Sequence, residues 1–185
     1  MSKILILYYS RRGENYMGGN IVKLAQGNTQ KACLMLKDEL EALGQEVTLF
    51  EVDTVKPYNA DYHACTEEAK LELKEQARPK LKGLPPALTD YSQILVAGPC
   101  WWGTYPCAIF TALEHLQGSD AQGFAGKKVY GLMTHEGSGL GSSQRDLKRL
   151  CPSAQFGPAL AVQGSRVDQS ASQLKAFAAQ LALDA

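Results

Sequence analysis

Two adjacent tryptophans, the only two in the chain, occupy a short loop bounded by prolines. Trp101 and Trp102 follow the apolar run Ile94–Gly98, which is typical of a buried parallel strand. In open α/β sheets, ligands bind beyond the carboxyl ends of the strands, where this loop begins. Exposed indoles are unfavourable unless they cover an apolar group, so the loop predicts a planar aromatic ligand; the alternative is that the indoles cap the core. Its candidate ligand-binding residues are Pro99, Cys100, Trp101, Trp102, Gly103 and Thr104.

A second candidate loop is rich in glycines and hydroxyls and spans Thr134–Ser143. Its free backbone N–H groups could hydrogen-bond the polar edge of a ring, while an ordinary flexible loop is the alternative. A histidine near a redox-active ring could couple its charge to pH, and a neighbouring glutamate would oppose that effect. The candidate residues are Thr134, His135, Glu136, Gly137, Ser138, Gly139 and Gly141.

A third group of residues could bind an anion. A hydroxyl, glycine and free N–H groups at the start of a helix favour negative charge, because the helix dipole and the unpaired donors act together. The chain has neither the Walker pattern nor the dinucleotide fingerprint. An ordinary helix start and a solvated arginine pair are the alternatives. The candidates are Ser10, Arg12, Asn28 and Thr29, with Arg11 and Asn15 left open.

Strand and helix patterns alternate along the chain and must position these loops. We predict strands at Lys3–Tyr9, Val47–Val52, Ile94–Gly98, Val129–Met133 and Ala159–Val162. We predict helices at Thr29–Leu43, at about Asp61–Ala77, after Pro106, at Ser143–Leu150 with a Ser143/Asp146 capping box, and after an Asp168 cap. Five βα units indicate one α/β domain over residues 1–185, a three-layer sandwich around a parallel sheet.

The three loops meet at one edge of such a sheet. Together they offer an anion site, an aromatic face and a polar ring edge, which match the phosphate and the ring of flavin mononucleotide (FMN). In that site Gly103 leaves room for a backbone carbonyl to approach the ring nitrogen N5. We therefore expect FMN as the cofactor.

Over nearly its whole length the chain resembles the flavodoxin family. Pro99–Pro106 is similar to the family's tryptophan-bearing flavin loop, and Thr134–Ser142 is similar to its third flavin loop. Ser10 with Gly27–Thr29 resembles the phosphate loop, split as in bacterial flavodoxin-like proteins that have an extended first loop. The resemblance implies a flavodoxin-like five-stranded parallel sheet of order 2-1-3-4-5, with FMN between the first and third strands.

Composition excludes several other classes of protein. Nineteen basic and nineteen acidic side chains cancel over 185 residues, which argues against binding to nucleic acid. No apolar run is long enough to span a membrane. The five cysteines are scattered without a C-x-x-C pair, so we expect a cytoplasmic protein with no disulfide framework and no metal site.

Two functions remain open, and they differ in the partner. The resemblance implies a carrier of low-potential electrons between redox partner proteins. The alternative is an FMN-dependent NAD(P)H:quinone, nitro or azo reductase with a small-molecule electron acceptor. The balanced charge favours the reductase, because a protein carrier docks through charge, whereas the lack of an obvious nicotinamide site favours the carrier. A third possibility is a binding module that no longer holds flavin, and the oligomeric state stays open.

Overall fold

The computed structural model describes residues 3–119 and 121–184. In chain order the strands are β1 (Lys3–Tyr8), β2 (Gly13–Met17), β3 (Asn20–Leu24), β4 (Glu46–Glu51), β5 (Gln93–Pro99), β6 (Lys128–His135) and β7 (Gln155–Gln163). The helices are α1 (Asn28–Ala42), α2 (Tyr62–Glu75), α3 (Cys107–Gly118), α4 (Ser143–Leu150) and α5 (Ala171–Leu183). Short 3₁₀ turns cover Leu88–Asp90 and Gly164–Gln169.

Five of these strands form one parallel sheet of order β4-β1-β5-β6-β7. Without the separate hairpin β2–β3, this is the predicted order 2-1-3-4-5, so the flavodoxin-like fold is confirmed. The chain reverses its winding direction between β1 and β5, which pair from Ile4 opposite Gln93 to Tyr8 opposite Ala97. Such a switch point opens a crevice beyond the carboxyl ends of the two strands.

The inner strands are almost entirely apolar because helices cover both faces of the sheet. Alternate side chains of β1 point to opposite faces and enter different cores. Ile4 and Ile6 pack in one core with Leu36 of α1, whereas Leu5 packs in the other core with Leu113 of α3. This two-sided burial fixes the register and holds the loops at the sheet edge in place.

The long connection between β1 and α1 folds into an antiparallel hairpin, which is absent from the predicted elements. Strands β2 and β3 pair with each other and with no other strand of the described residues. Gly18 and Gly19 make the turn, with φ of 56° and 98°. Both values lie in the left-handed region that a tight hairpin turn requires and that glycine adopts freely.

Two predicted helix caps were wrong. Asp168 does not cap the last helix, which begins at Ala171 after a 3₁₀ turn; its carboxylate instead pairs with Lys31 at 3.1 Å. Ser143 is not the N-cap of α4 either, because it already lies inside the helix and is buried. Ser142 takes the cap position, and its backbone carbonyl accepts the N–H of Asp146 at 3.1 Å.

Strand β7 begins four residues before the predicted start at Ala159, since it spans Gln155–Gln163. The predicted start was too late because Gly157 and Pro158 are residues that normally interrupt a strand. An edge strand tolerates Pro158, because one side of the strand needs no backbone donor. Gly157 lies so close to the ring of Tyr130 that a Cβ there would overlap it.

None of the described helices is both long and apolar enough to cross a membrane. All five cysteines are free thiols.

The fold predicts unequal effects of two substitutions on the same helix. Leu36→Ala should lower the free energy of unfolding by about 2–5 kcal/mol, because the side chain is fully buried and leaves a cavity. Leu34→Ala should change it by less than about 1 kcal/mol, because that side chain is 37% exposed. Urea unfolding measures both values, and equal losses would contradict the assignment of the buried face of α1.

Candidate functional site

The amino-terminal end of α1 offers unpaired backbone donors at the switch point. Gly27 precedes the helix and has no side chain to cap it. The hydroxyl of Ser10 accepts the N–H of Gln30 at 3.0 Å, but the N–H groups of Asn28 and Thr29 have no partner among the described residues. Free donors and the helix dipole together favour an anion here.

The close approach of two chain segments explains the glycine at this position. A Cβ on Gly27 would overlap both the hydroxyl of Ser10 and the carbonyl oxygen of Arg11. Only glycine therefore allows the first loop to lie directly against the start of α1. Ser10 acts here by positioning the helix terminus rather than by lining the cleft.

The side chain of Thr29 faces the end of β6, and the side-chain amide of Asn28 lies beside Gly164, which follows β7. The hydroxyls of Thr29 and Thr134 share a buried hydrogen bond of 2.7 Å, which joins α1 to β6. The side-chain oxygen Oδ1 of Asn28 is buried and has no partner in the described part of the chain. A buried acceptor without a donor is costly, so this atom calls for a ligand donor such as a hydroxyl.

The tryptophan loop is a tight turn with two left-handed residues. Trp101 and Thr104 exchange backbone hydrogen bonds of 2.8 and 3.2 Å, while Trp102 and Gly103 have φ of 53° and 83°. These values define a type I′ turn. The left-handed conformation is costly for a bulky residue such as Trp102, so the loop holds this indole in a strained position.

The turn sends the two indoles to different places. Trp101 is half-buried, makes edge-to-face contacts with Tyr9 at 5.3 Å and Tyr58 at 5.0 Å, and lines the cleft above the switch point. Trp102 lies outside that cleft and against α2, where its Nε1–H donates to the carbonyl of Thr66 at 2.8 Å. Trp101 is therefore the indole available to a ligand in the cleft, and it also contributes to the core.

The glycine loop is docked onto the tryptophan loop. The carbonyl oxygen of Gly103 accepts the N–H of Ser142 at 2.7 Å, and a Cβ on Gly141 would overlap that same oxygen. The carboxylate of Asp146 accepts hydrogen bonds from the hydroxyls of Thr104 at 2.7 Å and Ser142 at 3.2 Å. The carbonyl oxygen of Gly103 itself is therefore engaged within the protein, and the expectation that Gly103 leaves room for a backbone carbonyl near the flavin nitrogen N5 stays a prediction.

The side chains of His135 and Glu136 both line the cleft, and neither is simply solvated. Glu136 accepts hydrogen bonds from the N–H of Gly18 at 3.2 Å and from the hydroxyl of Ser165 at 2.9 Å, so it fixes the tip of the hairpin. Nδ1 of His135 accepts the N–H of Gly137 at 2.9 Å. The two side chains thus shape the wall of the cleft.

The two arginines of the first loop have different roles. Arg12 lies outside the lining of the cleft, and its guanidinium binds the carboxylate of Glu51 at 2.8 and 2.9 Å, so its role in binding a ligand stays a prediction. Arg11 is buried and lines the cleft instead. Its Nε–H donates to the carbonyl of Glu14 at 2.7 Å, and its two terminal nitrogens donate to those of Asn59 and Ala60 at 3.0 Å.

The cleft brings together eight of the predicted residues and five others. The predicted residues that line it are Asn28, Thr29, Pro99, Cys100, Trp101, Thr134, His135 and Glu136. The predicted residues outside its lining are Ser10, Arg12, Trp102, Gly103, Thr104, Gly137, Ser138, Gly139 and Gly141.

The five additional lining residues are Arg11, Asn15, Tyr16, Tyr62 and Gly164. Tyr16 of the hairpin stacks on Tyr62, the first residue of α2, with ring centres 6.2 Å apart. The adjacent glycines Gly18 and Gly19 were the sequence signal for this hairpin. Because Asn15 and Tyr16 belong to the hairpin, the same glycines were also the signal for these two residues in the cleft.

A family model described as Flavodoxin matches residues 22–178, which is most of the chain. The chain belongs to the flavodoxin family. Membership supports FMN as the cofactor, and the buried unpaired oxygen of Asn28 and the free donors of α1 fit its ribityl hydroxyls and phosphate. No curated protein matches the chain.

Solved structures share the fold at low sequence identity. A flavoprotein from Bacteroides uniformis is 22% identical, with 95% of this chain and 97% of that chain covered and a TM-score of 0.68. A flavoprotein in complex with FMN from Lactobacillus acidophilus is 19% identical, with coverages of 91% and 98% and a TM-score of 0.64. A flavodoxin from Streptococcus pneumoniae is 18% identical, with both chains fully covered (100%) and a TM-score of 0.58.

The close contact at Gly27 gives a direct test of the phosphate end. Gly27→Ala should weaken FMN binding by about one to two orders of magnitude, because the new methyl group displaces the first loop from the donors of α1. Gly118→Ala is the matched control, because a Cβ there meets nothing within 4 Å. Quenching of FMN fluorescence measures the two dissociation constants, and equal values would rule out the proposed phosphate end.

The geometry of the turn predicts that the two tryptophans contribute unequally to the affinity for FMN. Trp101→Leu keeps an apolar wall but loses the aromatic stack, so FMN affinity should fall about tenfold. Trp102→Leu should change it less than about threefold, because that indole lies outside the cleft. The same titration measures both variants, and a larger loss for Trp102→Leu would contradict this assignment.

Proposed function

We propose that the chain binds FMN in the cleft at the β1–β5 switch point and carries low-potential electrons between redox partners. The observation that carries this proposal is the combination of three features at one point. These are the free donors of α1, the unpaired oxygen of Asn28 and the indole of Trp101. Together they fit an anion, a hydroxyl chain and a planar ring within one cleft.

The residues of the chain would divide the binding of FMN among them. The N–H groups of Asn28 and Thr29 hold the phosphate, and Oδ1 of Asn28 accepts a ribityl hydroxyl. Trp101 supplies the aromatic face for the ring. FMN, when bound, accepts and donates one or two electrons, and the protein contributes orientation and electrostatics.

The surroundings of the cleft support a cofactor shielded on one side. The hairpin β2–β3 places Asn15 and Tyr16 at the cleft, and Arg11 ties the start of that hairpin to the segment before α2. The buried guanidinium of Arg11 adds a positive charge to the lining, which favours binding of an anionic cofactor. The five free thiols are compatible with the reducing cytoplasm, which we propose as the compartment.

A reductase that acts on small molecules is the second candidate function. A further cleft on the other side of Trp101 favours it, because a carrier that serves only proteins needs no second cavity. The balance of nineteen basic and nineteen acidic side chains also gives no strong net charge for docking to a protein.

Turnover with and without a reductase separates the two functions. The FMN-loaded protein alone should oxidise NADPH in the presence of a quinone no faster than free FMN does. With an added NADPH-dependent flavodoxin reductase, it should pass electrons to cytochrome c. The Gly27→Ala variant, prepared without FMN, is the control and should pass none. Rapid NADPH oxidation without the reductase would exclude a pure carrier, and a protein that takes up no FMN would exclude both functions.

A further inference from the structure

A second cleft of about 350 Å³ lies between the tryptophan loop and α2, and we name it the α2 slot. Trp101, Trp102, Tyr62, Cys65, Ala69 and Arg11 contribute to its walls. Trp101, Tyr62 and Arg11 also line the first cleft, so the two cavities share a wall. A molecule in the slot would therefore lie next to the cofactor proposed for the first cleft.

The position of Trp102 points to a ligand in this slot. Its backbone is in the left-handed region, and its side chain remains 50% exposed. The hydrogen bond from its Nε1–H to Thr66 and the ammonium of Lys70, 4.9 Å from the ring centre, hold the indole against α2. A strained backbone that keeps an indole exposed is unfavourable unless the indole covers a ligand.

The apolar walls favour a flat ring. Indole and phenol rings surround the slot, with the small side chain of Ala69 and the thiol of Cys65 between them. Burial raises the pKa of the Cys65 thiol to about 11, so it is uncharged at neutral pH. Electron-rich indoles stack best on a ring that is poor in electrons.

The polar groups of the slot favour a neutral molecule that carries oxygen acceptors. Arg11 uses three of its five N–H groups on the carbonyls of Glu14, Asn59 and Ala60. Its other two N–H groups have no backbone carbonyl partner among the described residues, and its guanidinium lines the slot. The exposed carboxylate of Glu67 also lines the slot and offsets the charge of Arg11, so this pair gives an anionic ligand little net attraction.

We propose that the α2 slot binds a quinone, whose ring stacks on the indoles and whose carbonyl oxygen accepts an N–H of Arg11. This inference rests on the proposed function, because the electrons come from reduced FMN in the neighbouring cleft. The quinone would take up a hydride, which is two electrons and one proton, from reduced FMN held in the neighbouring cleft and a second proton from solvent; it would leave as the hydroquinone, with FMN reoxidised. The guanidinium of Arg11 stabilises the negative charge that develops on the quinone oxygen.

Menadione, a methylated naphthoquinone, is the probe, and oxidised FMN-loaded protein allows its binding to be measured by calorimetry without turnover. Ala69→Met should weaken menadione binding about tenfold or more, because the longer side chain fills the slot. Leu71→Met is the matched control on α2, because Leu71 is 52% exposed and lies outside the slot. Trp102→Leu removes the exposed wall without disturbing the core and should also weaken menadione binding about tenfold.

Comparison with 2-methylnaphthalene tests the role of Arg11. This hydrocarbon has the same ring system without carbonyl oxygens, so it should bind about tenfold more weakly than menadione. Equal affinities would show that the slot does not select quinones and would overturn the proposal.

The FMN titration of each variant separates this inference from the proposed function. Ala69→Met and Trp102→Leu should keep FMN affinity within about threefold of the wild type. If both variants lose the binding of FMN together with that of menadione, the slot holds the flavin itself, and the proposal of a quinone site is overturned. If the wild-type protein binds FMN but not menadione, only this inference is overturned. If the wild-type protein binds no FMN, the proposed function is overturned.

Discussion

The hydrogen bond between the Gly103 carbonyl and the Ser142 N–H is the contact on which the rest of the site depends. It forms only because Trp102 and Gly103 adopt left-handed conformations and because Gly141 has no side chain. The bond fixes the tryptophan loop to the glycine loop and so sets the direction of both indoles. One left-handed turn therefore divides the edge of the sheet into two cavities with Trp101 between them.

The sheet supplies the other half of the arrangement. Because β1 and β5 are neighbours in the sheet but distant in sequence, the start of α1 lies beside the end of β5. The buried bond between Thr29 and Thr134 extends this link to β6. Donors for an anion, an aromatic wall and the guanidinium of Arg11 thus come within one cleft.

Local patterns predicted the fold because most strands are continuous apolar runs between clear turn residues. The tryptophan and glycine loops were predictable for the same reason, since each follows such a strand. The roles of Arg11 and Arg12 were not, because both are adjacent and chemically alike, and only the distant partners Asn59 and Glu51 separate them. The hairpin was missed because its strands are mostly exposed and lack an apolar face, although its glycine pair was visible.

The hairpin has a consequence for how the molecule unfolds. A two-stranded ribbon has little stability of its own, and this one is held by Glu136, by Tyr62 and by the backbone carbonyls that Arg11 binds. All of these anchors belong to the lining of the cleft or its rim rather than to the two cores. We therefore expect the segment from Gly13 to Leu24 to form a separate cooperative unit that opens while the sheet remains folded.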